Sequence, residues 1–260
     1  LTPVVLQRDH AGVDAPSSQV TRQTVVKMCE HIRNSVGDPA LTGWTKSAIA
    51  AAQGLPGRGT ETSAAGAWWW WIKTHVKFLH HDPQIKKLLN ESGHYQLLIE
   101  PKVLVRMARP EGDCANFTML GCAGLRSMGF DCRIVTIACD NQTPGRYSHV
   151  CSEVYLPDVK MWATFDASHG TALGWEVPLY DQYRRTAWDL NGNIVSDVAI
   201  SADQRARARG MGSIAGAGVP AFALRIMNWL SGENVPPVPN WAFIAGAGVG
   251  LLALFRGARR

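Results

Sequence analysis

No Cys-x-x-Cys pair occurs in this chain of 260 residues, although it contains six cysteines. The scattered spacing makes neither a zinc pattern nor a secreted disulfide framework, so mostly reduced thiols are expected. No histidine cluster has ligand spacing, His80-His81-Asp82 being contiguous, and no metal site is expected. A phosphate-binding glycine loop of recognised type is also missing, and no cofactor is expected. Residues 1–20, with Pro3 and Pro16, show no basic stretch leading into a long apolar run, which argues against a signal peptide at this end. Trp241–Phe255 offers fifteen consecutive uncharged, mainly apolar residues, short of the roughly 20 that cross a bilayer.

What is present is enough apolar material, 46% of the chain, to bury one sizeable core with residues left for appendages. From Cys114 to Met128, Phe117, Leu120, Leu125 and Met128 recur at helical spacing together with the small Gly121 and Gly124. Asp113 stands before them as an N-cap and Gly129 after them as a stop. Cys114 therefore opens a helix, where unsatisfied N–H groups and the positive dipole end favour a thiolate and an oxyanion. The bland alternative is a small buried hydrophobe.

Residues 130–138 read as a β-branched strand, 140–145 as a turn, 147–156 as a second strand and 161–166 as a third. If Leu156 faces Met161 in the second hairpin, His149 lies opposite Ser168 and diagonal to Asp166 on one sheet face. A diagonal pair is about 7–8 Å apart at the backbone, within reach of side chains. A thiol, an imidazole and a carboxylate in this arrangement form the three parts of an activated nucleophile. His169, just past the third strand and before Gly170, is the rival histidine and reads as a loop residue.

The residues Gly112-Asp-Cys114, Ser148-His149-Val-Cys-Ser-Glu-Val-Tyr155 and Trp162-x-x-x-Asp166 resemble the transglutaminase-like branch of the papain-like thiol enzymes, over roughly residues 67–175. The resemblance implies Cys114 as nucleophile, His149 as general base and Asp166 as its orienter. It implies an α+β fold in which the cysteine helix packs on an antiparallel sheet carrying the histidine and the aspartate. No motif identifies the side chain that completes the oxyanion hole; Gln96 is a candidate only as an amide upstream of the cysteine. The features around Gln23–Met28, Asp82-Pro and Gly112-Asp-Cys are similar to those of bacteriophage and prophage members.

Four segments follow from the sequence: an N-terminal extension with helices over 1–66, a catalytic core over 67–183, a basic linker over 184–210 and an apolar helical tail over 211–260. A helix over Thr21–Arg33, a Gly/Thr-rich loop near 54–66, a helix near 67–80 and a shorter helix within 82–113 are expected. In Trp68-Trp-Trp-Trp71 the stripe Trp68, Trp71, Ile72, Val76 and Leu79 is read as core, with Trp69 or Trp70 as the less favoured groove-lining reading.

Net charge is +5, with arginines clustered at 184–185, 205–209 and 256–260. No aromatic stacking platform accompanies them, which disfavours nucleic acid. Their apolar neighbours point to a membrane surface instead. Ile214-Ala-Gly-Ala-Gly-Val219 recurs as Ile244-Ala-Gly-Ala-Gly-Val249. Membrane contact through 211–230 and 241–255 is expected, the alternative being a helical hairpin buried in protein, with oligomer formation open. A membrane-associated setting, a virion or a host cell envelope, goes with this reading. Three functional classes remain, in order: a thiol hydrolase acting on a protein or peptide (including peptidoglycan cross-bridges), a crosslinking transglutaminase, and a non-catalytic structural or virion membrane-associated protein.

Overall fold

The structure, a computed structural model, describes residues 6–8, 17–52, 59–80 and 95–214. In chain order the elements begin with β1 (Leu6–Arg8), α1 (Ser17–Arg33), α2 (Pro39–Ala52), α3 (Glu61–His75), β2 (Lys77–Phe78), β3 (Tyr95–Leu97) and α4 (Pro101–Leu104). They continue with β4 (Glu111–Gly112), α5 (Cys114–Ser127), β5 (Cys132–Ala138), β6 (His149–Leu156) and β7 (Met161–Phe165). A single 3-10 turn at Leu179–Asp181, β8 (Arg184–Trp188), β9 (Ile194–Ala199) and α6 (Ala202–Ile214) complete the described chain.

Helix α1 buries Val25, Met28, Cys29 and Ile32, the helical spacing expected of it. Helix α2 was not foreseen. Its start is fixed by Asp38, whose Oδ1 accepts the N–H groups of Ala40 (3.0 Å) and Leu41 (3.3 Å), with Pro39 needing no partner there. Helix α3 starts six residues before the expected Ala67, because Thr60 caps Ser63 and Asp158 accepts the N–H and hydroxyl of Thr62. It ends early as well, since Lys77 and Leu79 donate to Pro110 and Gly112 and so join the segment leading into α5. The buried face is Ala65, Trp68, Trp69 and Ile72, while Trp71 is only half-buried and stacks on His75.

The main sheet is antiparallel, in the order β7-β6-β5-β8-β9. Ile134, Val154, Leu156, Ala163, Phe165 and Trp188 join the helices in one core. Helix α5 lies at its centre and is buried from Ala115 to Leu125. Trp68 donates to the Gly121 carbonyl at 3.1 Å, and a Cβ at position 124 would lie 2.3 Å from the same indole. Gly124→Ala is therefore expected to destabilise the fold by about 1–3 kcal/mol, since neither the ring nor the helix backbone can give way. Urea denaturation with an unchanged m-value checks this.

The stretch expected as a basic linker over 184–210 instead supplies β8, β9 and α6. Strand β8 sits beside β5 inside the sheet, and both of its arginines are ion-paired, Arg185 half-buried and Arg184 exposed. Arg184 donates to Asp197 at 2.9 Å, and Arg185 donates to Glu176 at 2.6 Å and also to Glu153. Among the described residues no helix is long and apolar enough to cross a membrane. The tail from residue 215 onward, and with it residues 215–230 of the first expected membrane-contact segment and the whole of 241–255, lies outside the described residues, as do residues 82–94 of the stretch in which a shorter helix is expected.

Candidate active site

Cys114 is the first residue of α5, and Asp113 is its N-cap in extended geometry (φ −93°, ψ −173°). Asp113 Oδ1 accepts the N–H groups of Ala115 (3.1 Å) and Asn116 (3.2 Å). Those bonds occupy two of the orphan donors of the helix start. Asn116, which the sequence reading did not single out, is fully buried and anchors this corner. Its Oδ1 accepts from Ile99 N (2.7 Å) and its Nδ2 donates to the Leu97 carbonyl (2.9 Å), tying the end of β3 to the first turn of α5. Gln96 thus lies on a strand bound beside Cys114, while the position of its amide lies outside the described residues.

The hairpin of β6 and β7 has Leu156 facing Met161 and Ser152 facing Phe165, the register from which the diagonal placement of His149 and Asp166 follows. His149 Nε2 meets Asp166 Oδ2 at 2.8 Å, with the two residues 8% and 2% exposed. The other carboxylate oxygen is saturated: Asp166 Oδ1 accepts from Ser168 N (2.9 Å), Ser168 Oγ (2.6 Å) and His169 N (3.0 Å). Cys114 lies close enough to the same imidazole to act on its pKa. The structure therefore sets Asp166 on His149, the diagonal placement expected from the hairpin register, with Cys114 at the start of α5 near the same imidazole.

Burial alone would pull the His149 pKa down, but the hydrogen bond to Asp166, the neighbouring Cys114 and the charges of both outweigh it and raise it from 6.5 to about 10. For Asp166 burial acts upward, and the bond and charge of His149, with the Ser168 and His169 donors, hold the carboxyl far below the usual carboxylate range. His169 contributes its backbone N–H to Asp166, and its exposed ring stands edge-on to His149 with centroids 4.8 Å apart. Burial and then the charge of His149 push its own pKa down.

His149, Asp166 and His169 also present ligand atoms within 4.8 Å of one another. A metal ion among them would have to break the His149–Asp166 bond and compete with three donors on Asp166 Oδ1, so this donor set fits a base with its orienter better than a coordination site. Trp69 is not a groove residue: it is 5% exposed and its Nε1 donates to the Asp166 carbonyl at 2.9 Å. Gly170 closes the turn after β7, since a Cβ there would stand 2.2 Å from that carbonyl oxygen. Gly170→Ala should displace Asp166 and lower turnover at least about tenfold, which a steady-state assay on the folded variant reads directly.

A family model for the transglutaminase-like superfamily matches residues 49–167, a stretch that includes all three side chains. Searches of curated proteins find no match. Similar solved structures include a candidate cysteine protease from Cytophaga hutchinsonii, 19% identical, covering 61% of this chain and 44% of that one with a TM-score of 0.34. Another is a candidate protease from Parabacteroides distasonis ATCC 8503 (9% identical, 70% and 31% covered, TM-score 0.42). A third is a TGase (13% identical, 62% and 35% covered, TM-score 0.33). The chain spans less than half the length of each of these three. Residues 49–167, within the mixed helix and antiparallel-sheet fold, are thus similar to the transglutaminase-like superfamily, and the resemblance read from the sequence is shared by this part of the chain.

Proposed function

We propose that the protein is a thiol hydrolase that cleaves a peptide or side-chain amide through an acyl-thioester. The observation that carries the reading is the His149–Asp166 bond of 2.8 Å beside the cysteine that opens α5. Asp166 holds Nε2 as a protonated nitrogen, and the raised His149 pKa lets Nδ1 keep the proton that the Cys114 thiol gives up. The Cys114 sulfur attacks the carbonyl carbon, and the oxyanion is met by the Cys114 amide at the helix start. His149 then gives the proton to the leaving nitrogen as the C–N bond breaks. Water, deprotonated by the same imidazole, attacks the thioester and releases the acid and free Cys114. If a lysine amine replaces water, the same intermediate gives an isopeptide crosslink.

Partial exposure of Cys114 favours water as the acceptor, since water is abundant and an amine must be selected over it. Incubation with casein and monodansylcadaverine separates the readings. Hydrolysis yields new carboxyl groups or ammonia with little dansyl incorporation, whereas predominant dansyl incorporation would overturn the hydrolase assignment in favour of the transferase.

The proposed setting is a membrane surface, with peptidoglycan cross-bridges or a virion protein as substrate. The support is compositional: apolar 211–230 and 241–255 are flanked by Arg205–Arg209 and Arg256–Arg260. In a hairpin both arginine clusters fall on one side, and Arg225 requires a shallow first segment because a mid-bilayer charge costs roughly 2.5–3.5 kcal/mol. Full-length protein is expected to float with liposomes and a chain ending at Ser201 to stay below. If both sediment, the tail is a protein–protein element.

A further inference from the structure

We infer that Lys73 is a positioning residue, which together with Trp69 holds the Asp166–Gly170 turn so that the carboxylate stays on His149. The inference rests on the reading of His149 as base and Asp166 as orienter.

Strand β7 ends at Phe165, so Asp166 has already left the ladder of the sheet. Its three Oδ1 bonds go to residues of its own turn and give that turn a shape without fixing where it sits. Two donors reach the turn from α3. Trp69 Nε1 meets the Asp166 carbonyl at 2.9 Å, and Lys73 Nζ meets the Ser168 carbonyl at 2.9 Å. They are four residues apart and so share one face of the helix.

The same helix is fastened to α5 through the Trp68 bond to Gly121. Adjacent indoles on one helix therefore serve the two halves of the site: Trp68 the helix that carries Cys114, and Trp69 the turn that carries Asp166. Lys73 completes the second attachment. A surface lysine ordinarily keeps its ammonium in water and its rotamer freedom. Lys73 is exposed as a residue, but its Nζ is committed to the Ser168 carbonyl, and desolvation there draws its pKa below its ordinary value, against the opposing charge of Asp166.

The groups facing His149 are Asp166 past β7, Cys114 on α5 and His169 in the turn, with the charges of Lys73 and His80 acting on His169 from behind. This arrangement gives loss of the clamp and loss of a charge opposite signs. Removing a cation near His149 would by itself favour the imidazolium and raise its pKa. Releasing the turn loosens the Asp166 bond and lowers it.

The test is an NMR titration of ¹³C-labelled histidines in the full chain, in a Cys114→Ala background that removes the thiol proton. Lys73→Met is expected to bring the His149 pKa down toward the ordinary 6.5, with Tm kept within about 2 °C. Lys73→Arg, which keeps a donor, should leave it in place, and Trp69→Phe should lower it as Lys73→Met does. In the Cys114-bearing chain, Lys73→Met should cut kcat for p-nitrophenyl acetate about tenfold at unchanged KM. An unchanged or raised His149 pKa in Lys73→Met, or an equal fall in Lys73→Arg, overturns the inference. The titration reads His149 without turnover, so failure of the hydrolase reading leaves it standing.

Discussion

Cys114→Ser is expected to remove at least about 10⁴-fold of kcat/KM while Tm moves by no more than about 2 °C. The first half follows from the proposed role of the sulfur as the atom that forms the acyl bond, since a hydroxyl in its place is a far poorer nucleophile. The second half follows from its location. Cys114 is half-exposed at a helix start that Asp113 caps independently, and it lies outside the hydrophobic core, unlike Cys29, Cys122 and Cys132. Activity assays and thermal melts on one preparation check both halves. A loss of several kcal/mol with activity retained would identify Cys114 as a packing residue.

Asp166→Asn should lower kcat by about 10³–10⁴-fold in a protein that still folds. The amide can keep its oxygen on the Ser168 and His169 donors, but its NH₂ then faces His149 Nε2 and forces the imidazole into the wrong tautomer. A stability signature accompanies the rate loss. His149 has a folded pKa raised to about 10, so its contribution is fully present below about 6.5 and is lost as pH rises through 10. Asp166 has a depressed folded pKa, so its contribution is present above 3.8 and is lost as pH falls through that depressed value. Both describe one bond and count once. The urea-midpoint difference between wild type and Asp166→Asn should be largest between about pH 4 and 6.5 and shrink toward pH 10. A difference that grows with pH over that upper range would contradict the ion-pair assignment.

The placement of the three candidate residues was legible because each is announced locally. Asp113-Cys114 is a cap followed by a periodic helix, and the turn at Pro157–Lys160 fixes the register that sets His149 diagonal to Asp166. What supports them was not legible, because the partners are distant in sequence. Trp69 reaches across 97 residues to the Asp166 carbonyl and Lys73 across 95 to Ser168, both through backbone atoms that carry no residue-type signal. Arg185 read as surface charge because its partners Glu176 and Glu153 come from other elements, and beside Arg184, which is exposed and paired with Asp197, it made β8 look like a linker. The indole stripe was rotated by about one residue for a similar reason. Burial of Trp69 rather than Trp71 is decided by the turn it must hold, not by spacing within α3. Helix α2 shows a weak stripe of Leu41, Thr45 and Ala48 and no charged first turn, leaving only Asp38-Pro39 as a signal.

The most direct measurement of the central claim is the rate at which each cysteine of the full-length protein is alkylated by iodoacetamide at neutral pH, resolved by mass spectrometry. Burial pushes the Cys29 thiol up to about 12, and Cys122 and Cys151 are also raised well above the ordinary value, so these should react slowly. Cys132 is buried as well, which leaves Cys139, half-exposed and 3.2 Å from Ser148 Oγ, as the control for simple access. The account predicts that Cys114 reacts at least about tenfold faster than Cys139, and that His149→Ala abolishes the excess. Equal rates at the two cysteines, or a Cys114 rate indifferent to His149→Ala, would contradict it.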